Sequence, residues 1–312
     1  MKVLAITAGR KNGNGEILAK AALMKAEELG AEVKMMNLHD YNIKPCCGCE
    51  SCTIRFTQKH EAPKCVYDGK DDMNIVMNEW LSADAIIAVV PAYQYMPAGI
   101  WRNFTDRHLA FEPNFHKKVG NWDIIKNKVG AIISNGGSTS NWMSLGLESI
   151  TISMMSQDIK IVDRMLVTRA PRPGQVILND EVLERASKLG ENLVNSAKNF
   201  ENAKYLGDEG WCPKCHSNLV SLGQPHWDGK QFSIECPICH CGGELEKDEN
   251  GKWKFIVTDE SISMIEDKGA VDHFFEIQDT MKTYFTNLGT INKKCKKYTE
   301  YIPGKLNTMQ NN

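Results

Sequence analysis

Five short apolar runs, residues 3–7, 32–38, 85–90, 129–134 and 161–167, mark out the first 200 positions. Each is β-branched or aliphatic and of strand length. Helical spacing fills the intervals. Ile17, Leu18, Ala21, Ala22 and Leu29 form one apolar face, and Val182, Leu183, Ala186, Leu189, Leu193 and Val194 form another. Asn179 precedes the second face as an N-cap, with Asp180 and Glu181 where the helix dipole favours carboxylates. Strands alternating with helices predict an α/β fold, a five-stranded doubly wound parallel sheet covered on both faces. Such a sheet places its ligand at the carboxyl ends of the strands, near the topological switch point.

The pattern changes near Lys204. Residues 205–257 hold short strands, many turn residues and two cysteine pairs, with no helical period. So small a module buries too little apolar area to fold without a staple. Beyond it Val271, Phe274, Phe275, Gln278, Met281, Phe285 and Leu288 recover a helical spacing, read as core or a subunit contact. Lys293, Lys294, Lys296 and Lys297 around Cys295 read as a solvated basic face. The expected organisation is a domain over 1–204, a metal-stapled β module over 205–257 and a helical segment with tail over 258–312.

Composition narrows the function classes. The 312 residues are 42% hydrophobic and 24% charged, enough for a real core. Lys+Arg 37 against Asp+Glu 39 leaves a formal charge of −2, which argues against nucleic acid or an anionic membrane as partner. No apolar run reaches the roughly 18 residues that span a bilayer. The apolar stretch in MKVLAITAGR is too short for a signal-peptide core, so a cytoplasmic location is expected. In that reducing setting eleven cysteines point to metal or redox chemistry. Ten of them fall in two clusters.

The first strand runs into Ala8-Gly9-Arg10-Lys11-Asn12-Gly13-Asn14-Gly15-Glu16 and then a helix. A glycine-rich turn at a helix N-terminus exposes backbone N–H groups and the positive dipole end, which is an anion site. Arg10 adds a charged phosphate donor. A plain tight turn would need glycine but not Arg10, Asn12 and Asn14 together. The dinucleotide fingerprint fails at Leu18, and no Walker pattern is present.

This loop resembles the G-S-P-R-K-N-G-N-T phosphate loop of the flavodoxin-like NAD(P)H-dependent FMN reductases and iron–sulfur flavoproteins. Two further segments resemble that family's flavin-ring contacts. They are Pro91-Ala92-Tyr93-Gln94-Tyr95-Met96, followed by Arg102 to Arg107, and Asn135-Gly136-Gly137. Lys70-Asp71-Asp72-Met73 and Ala83-Asp84-Ala85-Ile86-Ile87 also fit its pattern. The resemblance covers roughly residues 1–200. It implies a flavodoxin-like fold with FMN held by Arg10, Asn12, Gly13, Asn14, Gly15, Glu16, Pro91, Ala92, Tyr93, Gln94, Met96, Asn135, Gly136 and Gly137. Tyr93, Tyr95 and Trp101 are candidates to stack near the ring. Ala8 and Gly15 replace the family's Ser and Thr. Each lost neutral hydrogen bond is worth only about 1 kcal/mol, so weakened FMN binding is expected rather than none.

Cys46, Cys49 and Cys52 form C-x-x-C-x-x-C, and Cys65 follows at a distance. Three thiolates on a tight loop plus a remote fourth suit a [4Fe–4S] cubane, in which each iron takes one thiolate. Cys47 is an alternative ligand, and reduced structural thiols are the alternative to a cluster. The iron–sulfur flavoproteins carry a similar motif here with a shorter last gap. Cys212, Cys215, Cys236 and Cys239 form two C-P-x-C knuckles, a four-thiolate tetrahedral site. They are similar to zinc-ribbon or rubredoxin knuckles but lack glycine after the second cysteine, which favours Zn²⁺ with iron the alternative. His216, His226 and His240 are read as surroundings, and Cys241 as a spare thiol.

The resemblance implies an NAD(P)H-dependent FMN oxidoreductase that passes electrons through FMN and the cluster to an unknown acceptor. Neither NADH nor NADPH is favoured, and a homo-oligomer is expected. The flavin carries the chemistry, so no catalytic side chain is assigned. A non-enzymatic FMN and iron–sulfur electron carrier between protein partners is the alternative. A redox-responsive regulator fits the near-neutral charge poorly.

Overall fold

The computed structural model describes residues 1–122, 126–223 and 226–300. β1 (Lys2–Thr7), β2 (Glu32–Asn37), β3 (Ala85–Tyr93), β5 (Lys128–Asn135) and β6 (Ile159–Val167) form a parallel sheet in the order β2-β1-β3-β5-β6. A two-residue strand, β4 (Met96–Pro97), turns back antiparallel on the end of β3. The helices of this layer are α1 (Asn14–Glu28), α2 (Ser51–Gln58), α3 (Met73–Ser82), α4 (Gly99–Thr105), α5 (Pro113–Lys118), α6 (Gly146–Met155) and α7 (Asp180–Lys198). This is the flavodoxin-like doubly wound sheet that the pattern predicts.

Strand alternation divides the core in two. Val3, Ala5, Ile87, Val89, Ala131 and Ile133 face Leu18 and Ala22 of α1 and Leu189 and Leu193 of α7. The alternate positions, among them Leu4, Ile6, Ile86 and Ile132, face Met73, Met77 and Trp80 of α3 and Trp101 and Phe104 of α4. Each fully buried Val, Leu, Ile, Met or Phe among them contributes about 1.5–3 kcal/mol. On the first face α1 and α7 touch backbone to backbone, for a Cβ on Gly190 would lie 2.1 Å from the Ala22 carbonyl oxygen. Asn179 caps α7 as expected, its Oδ1 accepting from the Val182 N–H at 3.2 Å.

β3 runs on to Tyr93, past the expected stop at residue 90. Pro91 lacks an N–H, but β1 pairs with β3 only as far as Val89, so that edge asks for no donor there.

The cysteine module forms a second, antiparallel sheet in the order β10-β9-β8-β7, from β7 (Ser221–Leu222), β8 (Ile234–Glu235), β9 (Gly242–Lys247) and β10 (Trp253–Val257). It lies in one compact unit, Met1–Ala270, with the parallel sheet. Ile152 and Met155 of α6 pack on its core of Ile234, Ile238, Phe255 and buried cysteines. Arg164 of β6 fastens it, donating to the Cys215 carbonyl at 2.9 Å and pairing at 2.9 Å with Glu148, whose carboxylate also accepts the Asn218 N–H. A second unit begins at Val271. It carries most of α8 (Asp267–Thr286) and all of α9 (Leu288–Thr299).

Glu112 is a buried oddity of the α/β layer. It caps α5 by accepting from the Asn114 N–H and also accepts from Gln157, while burial, aided by Asp158, pushes its pKa up to about 8. The unfolded carboxyl titrates near about 4.3. Its contribution is therefore complete below about 4.3 and declines as pH rises toward about 8, since the unfolded state then holds fewer protons. Glu112→Gln is expected to gain stability over the parent between about pH 5 and pH 8, read as urea midpoints. An identical difference at both pH values would sink this reading.

Candidate cofactor cleft and cysteine centres

At the carboxyl ends of β1, β3 and β5 lies a cleft of about 240 Å³, walled by four loops, the last of them the β6–α7 loop with Ala170, Pro171 and Pro173. The first is the turn entering α1. Gly13 donates to the Arg10 carbonyl at 3.1 Å, and a Cβ on Gly13 would come within 2.9 Å of that oxygen. Gly13 is the N-cap of α1 and offers no side chain, so the first-turn amides of Asn14, Gly15 and Glu16 lack a side-chain acceptor. Exposed Arg10 stands beside them. Together they fit a phosphate.

Asn14, Glu16 and Asn12 serve this loop differently from expectation. The Asn14 amide donates to the Ala170 and Arg172 carbonyls, both at 2.8 Å, and its oxygen accepts from Val176 at 3.3 Å. Its side chain thus holds the β6–α7 loop, and Asn14 meets the cleft as backbone. Buried Glu16 accepts from the Asn12 N–H at 2.7 Å and from Asn37 at 2.8 Å, while Asn37 also donates to the Gly9 carbonyl. Glu16 braces the turn, and neither Glu16 nor Asn12 lines the cleft.

Pro91, Ala92 and Tyr93 make the second wall, and Asn135, Gly136 and Gly137 the third. Gly137 is packed so closely that a Cβ would sit 2.8 Å from Pro171. The Asn135 Oδ1, on the cleft wall, is buried with no hydrogen-bond partner among the described residues, which fits a ligand donor there. Gln94 and Met96 lie outside the lining. Gln94 and Tyr95 instead form the β3–β4 turn, both left-handed at φ 49° and 70°, a strained choice for non-glycine residues. Tyr95 and exposed Trp142 pack with ring centroids 5.5 Å apart and their planes tilted by 39°. Trp101 is buried beside Trp80 and Phe104, its Nε1 donating to Ser153, so it does not stack near a ring. Sequence reading missed Gly9, Ala170, Pro171 and Pro173.

The first cysteine loop turns tightly through left-handed Gly48 and Glu50 into α2. The Gly48 N–H donates to the Cys46 sulfur at 3.5 Å. Burial pushes the Cys52 thiol up to about 11, with the nearby Cys65 and Cys46 thiols adding to the rise. Cys47 bonds to Tyr67 and Cys49, and these partners lower its pKa. Cys46, Cys47 and Cys49 are exposed and Cys52 and Cys65 half-buried, and no three of these sulfurs lie within 4.8 Å of one another as those of the second set do. Beneath it Arg107 and Asp71 form a buried ion pair, and Asp71 also accepts the Lys44 N–H at 2.9 Å. Burial alone would lower the Arg107 pKa, but Asp71 and Cys65 outweigh it and the shift is upward. Arg107 Nε and Nη2 have no hydrogen-bond partner among the described residues. A buried cation with spare donors beside a set of thiols fits an anionic iron–sulfur centre.

In the second centre the sulfurs of Cys212, Cys215, Cys236 and Cys239 lie within 4.8 Å of one another, all buried. Cys215 and Cys236, and Cys212 and Cys239, approach to 3.5 Å. Four sulfurs about 2.3 Å from one tetrahedral ion would lie about 3.8 Å apart, so the set fits one metal ion. His216 and His240 follow the knuckles at φ 59° and 58° and donate their N–H groups to the Cys212 and Cys236 carbonyls. They hold the left-handed position glycine usually takes, so lack of glycine leaves the knuckle backbone unchanged and does not bear on which metal binds. Their rings are occupied elsewhere: His216 stacks on Tyr205 at 3.6 Å, and His240 pairs with Glu235 at 3.0 Å. Cys241 is a fifth buried sulfur, 3.5 Å from both Cys212 and Cys239.

A flavodoxin-like sheet with an anion cradle at the switch point and two thiol centres defines a flavoprotein of the oxidoreductase class. Residues 1–162 match the model of the family described as NADPH-dependent FMN reductase, and the chain belongs to that family. It is 24% identical over 301 residues to a protein named flavone synthase cfoJ from Aspergillus candidus, covering 90% of each chain. It is 29% identical over 203 residues to an iron–sulfur flavoprotein of Archaeoglobus fulgidus, covering 64% of this chain and 90% of that one. A solved structure described as flavone reductase superposes with a TM-score of 0.78 at 25% identity, covering 98% of this chain and 99% of the other. Among the described residues no helix is long and apolar enough to cross a membrane.

Proposed function

We propose that the chain is an NAD(P)H-dependent FMN oxidoreductase of the iron–sulfur flavoprotein type. FMN occupies the cleft, a [4Fe–4S] cluster sits on Cys46, Cys49, Cys52 and Cys65, and Zn²⁺ on Cys212, Cys215, Cys236 and Cys239. The observation that carries this reading is the uncapped N-terminus of α1, opening with Arg10 onto the cleft at the ends of β1, β3 and β5. FMN supplies acceptance of a hydride and its release as single electrons, and the cluster supplies one-electron storage. The protein's part is position. The amides after Gly13 and the Arg10 guanidinium hold the phosphate, Glu16 fixes the turn, and Asn14 holds the β6–α7 loop against the cleft. The unpartnered Asn135 oxygen is available to a ring-edge donor.

For the acceptor, a planar aromatic ketone is the favoured class. The relative and the solved structure that span nearly the whole chain both carry flavone in their names. Tyr93, exposed on the cleft wall, and the nearby exposed Tyr95–Trp142 pair offer flat surface for such a molecule. A protein partner taking single electrons is the second reading, favoured by the exposed thiol loop.

Anaerobically purified full chain, assayed for FMN, iron, sulfide and zinc, tests every cofactor at once. NADH and NADPH oxidation with a flavone, and then with a one-electron acceptor, separates the two acceptors. Iron and sulfide no higher than trace would remove the cluster. Arg10→Ala should weaken FMN binding by about 1.5–3 kcal/mol, the range for a charged hydrogen bond. Unchanged flavin content at limiting FMN would count against the phosphate assignment.

A further inference from the structure

The first thiol loop is closed at its neck by a guanidinium. Arg107 donates from Nη1 to the Lys44 carbonyl at 3.3 Å, just before Cys46, and pairs with Asp71, a few residues after Cys65. Asp71 returns the hold by accepting the Lys44 N–H at 2.9 Å. The same two stretches are tied again next door, where Asn42 donates to the Asp72 carboxylate at 2.8 Å and Asp72 to the Asn42 carbonyl at 3.0 Å. The Tyr67 ring, two residues beyond Cys65, lies 5.4 Å from the guanidinium carbon. Cys65 is thereby returned to the turn, where it and Cys46 both act on the Cys52 thiol.

A guanidinium carries five N–H donors in a fixed fork. Nη1 serves the neck, while Nε and Nη2 have no hydrogen-bond partner among the described residues. The side chain is only 1% exposed, so bulk water does not reach them. Charged donors left buried and idle carry their full desolvation cost, and such groups in a folded protein ask for a ligand. Against burial, Asp71 and then Cys65 hold the Arg107 pKa up, which puts that thiol near the guanidinium.

We propose that Arg107 tunes the iron–sulfur centre, its Nε and Nη2 donating to the cluster's sulfurs at the corner held by Cys65 and so raising the reduction potential. The inference rests on the [4Fe–4S] reading above. Reduction adds negative charge to a centre already held by thiolates. A buried cation with N–H groups toward the sulfurs favours that charge, and the dry surroundings leave it unscreened. The gap between the flavin and cluster potentials is then set by a residue of the neck. Lysine is no substitute, for its ammonium can pair with Asp71 but lacks the planar fork that serves the neck and the cluster together.

Arg107→Lys in the anaerobic full chain, loaded with FMN and cluster, tests this. A potentiometric titration followed by absorbance and electron paramagnetic resonance reads both centres at once. The expected result is a lower cluster midpoint, by about 59 mV for a tenfold shift of a one-electron couple, with iron, sulfide and flavin contents and the FMN midpoint unchanged. A residue that merely braces the neck leaves the cluster midpoint in place, and that result overturns the proposal. Where Arg107→Lys sheds its iron, the chain carrying both Asp71→Asn and Arg107→Met keeps no unpaired charge buried, and the same fall is expected because the donors are gone. Loss of iron from both variants with flavin retained shows bracing alone and also overturns it. A parent that holds FMN without iron removes the cluster reading and this proposal with it. A parent with iron and sulfide whose midpoint the variants share removes the proposal alone.

Discussion

Cys236→Ser is expected to purify without the second metal and to lose the fold of residues 205–257, while the parallel sheet survives. The module's own apolar core is little more than Ile234, Ile238 and Phe255, closed against Ile152 and Met155 of α6. Metal binding in such modules is folding free energy, about 10–16 kcal/mol in apparent terms for structural zinc sites, and no packing here is of that size. Cys236 is the informative choice because of Cys241. That fifth sulfur lies 3.5 Å from Cys212 and Cys239, whereas the 3.5 Å neighbour of Cys236 is Cys215. Cys241 is placed to stand in for Cys212 or Cys239, so those variants should retain part of the metal that Cys236→Ser loses. Metal content and limited proteolysis, with first cuts near Tyr205, measure both. A Cys236→Ser chain as resistant as the parent would refute the staple, and bound iron in place of zinc would correct its metal.

Asp71→Asn should destabilise the chain by about 3–5 kcal/mol, the range for breaking a buried pair by removing one partner. Both side chains of the Asp71–Arg107 pair are almost wholly buried, and the change leaves a guanidinium in the core without its counter-charge. Arg107 holds the Asp71 carboxyl below its ordinary range, against the opposing effect of burial. The pair's contribution is therefore present above the unfolded carboxyl value of about 3.9 and lost as pH falls through the lower folded value. Urea unfolding of the parent and variant at neutral pH gives the magnitude. The combined Asp71→Asn, Arg107→Met chain should recover part of the loss, because no unpaired charge remains. A double variant as unstable as the sum of the singles would show that the two residues do not act as a pair.

The strands were legible because their signal is local. Apolar runs, the Asn179 cap and the glycine-rich turn each lie within a few residues, and the structure puts them within about three residues of expectation. The C-P-x-C knuckles were legible for the same reason. What a periodic reading misses is pairing across distance. Asp71 and Arg107 each stand in a recognisable segment, yet nothing in either names the other. Asn14 sits in the phosphate loop, but its amide serves carbonyls some 156 residues away. Trp101 follows a flavin-contact segment and still turns inward, since α4 needs an apolar anchor against Trp80. Pro171 and Pro173 complete the cleft from a loop whose sequence carries no ligand signal. The knuckle histidines show the reverse failure, where residue type suggested a departure that the backbone at φ 59° and 58° does not make.

The contact of Gly190 with the Ala22 carbonyl ties a remote position to the cleft. α1 carries Gly13 and Asn14 at its head, and α7 rests on the backbone of that same helix. A Cβ at position 190 would meet the Ala22 carbonyl oxygen at 2.1 Å, so even alanine there must push the two helices apart. The smallest side chain that can be added far from the ligand is thereby felt by the helix that presents the phosphate cradle.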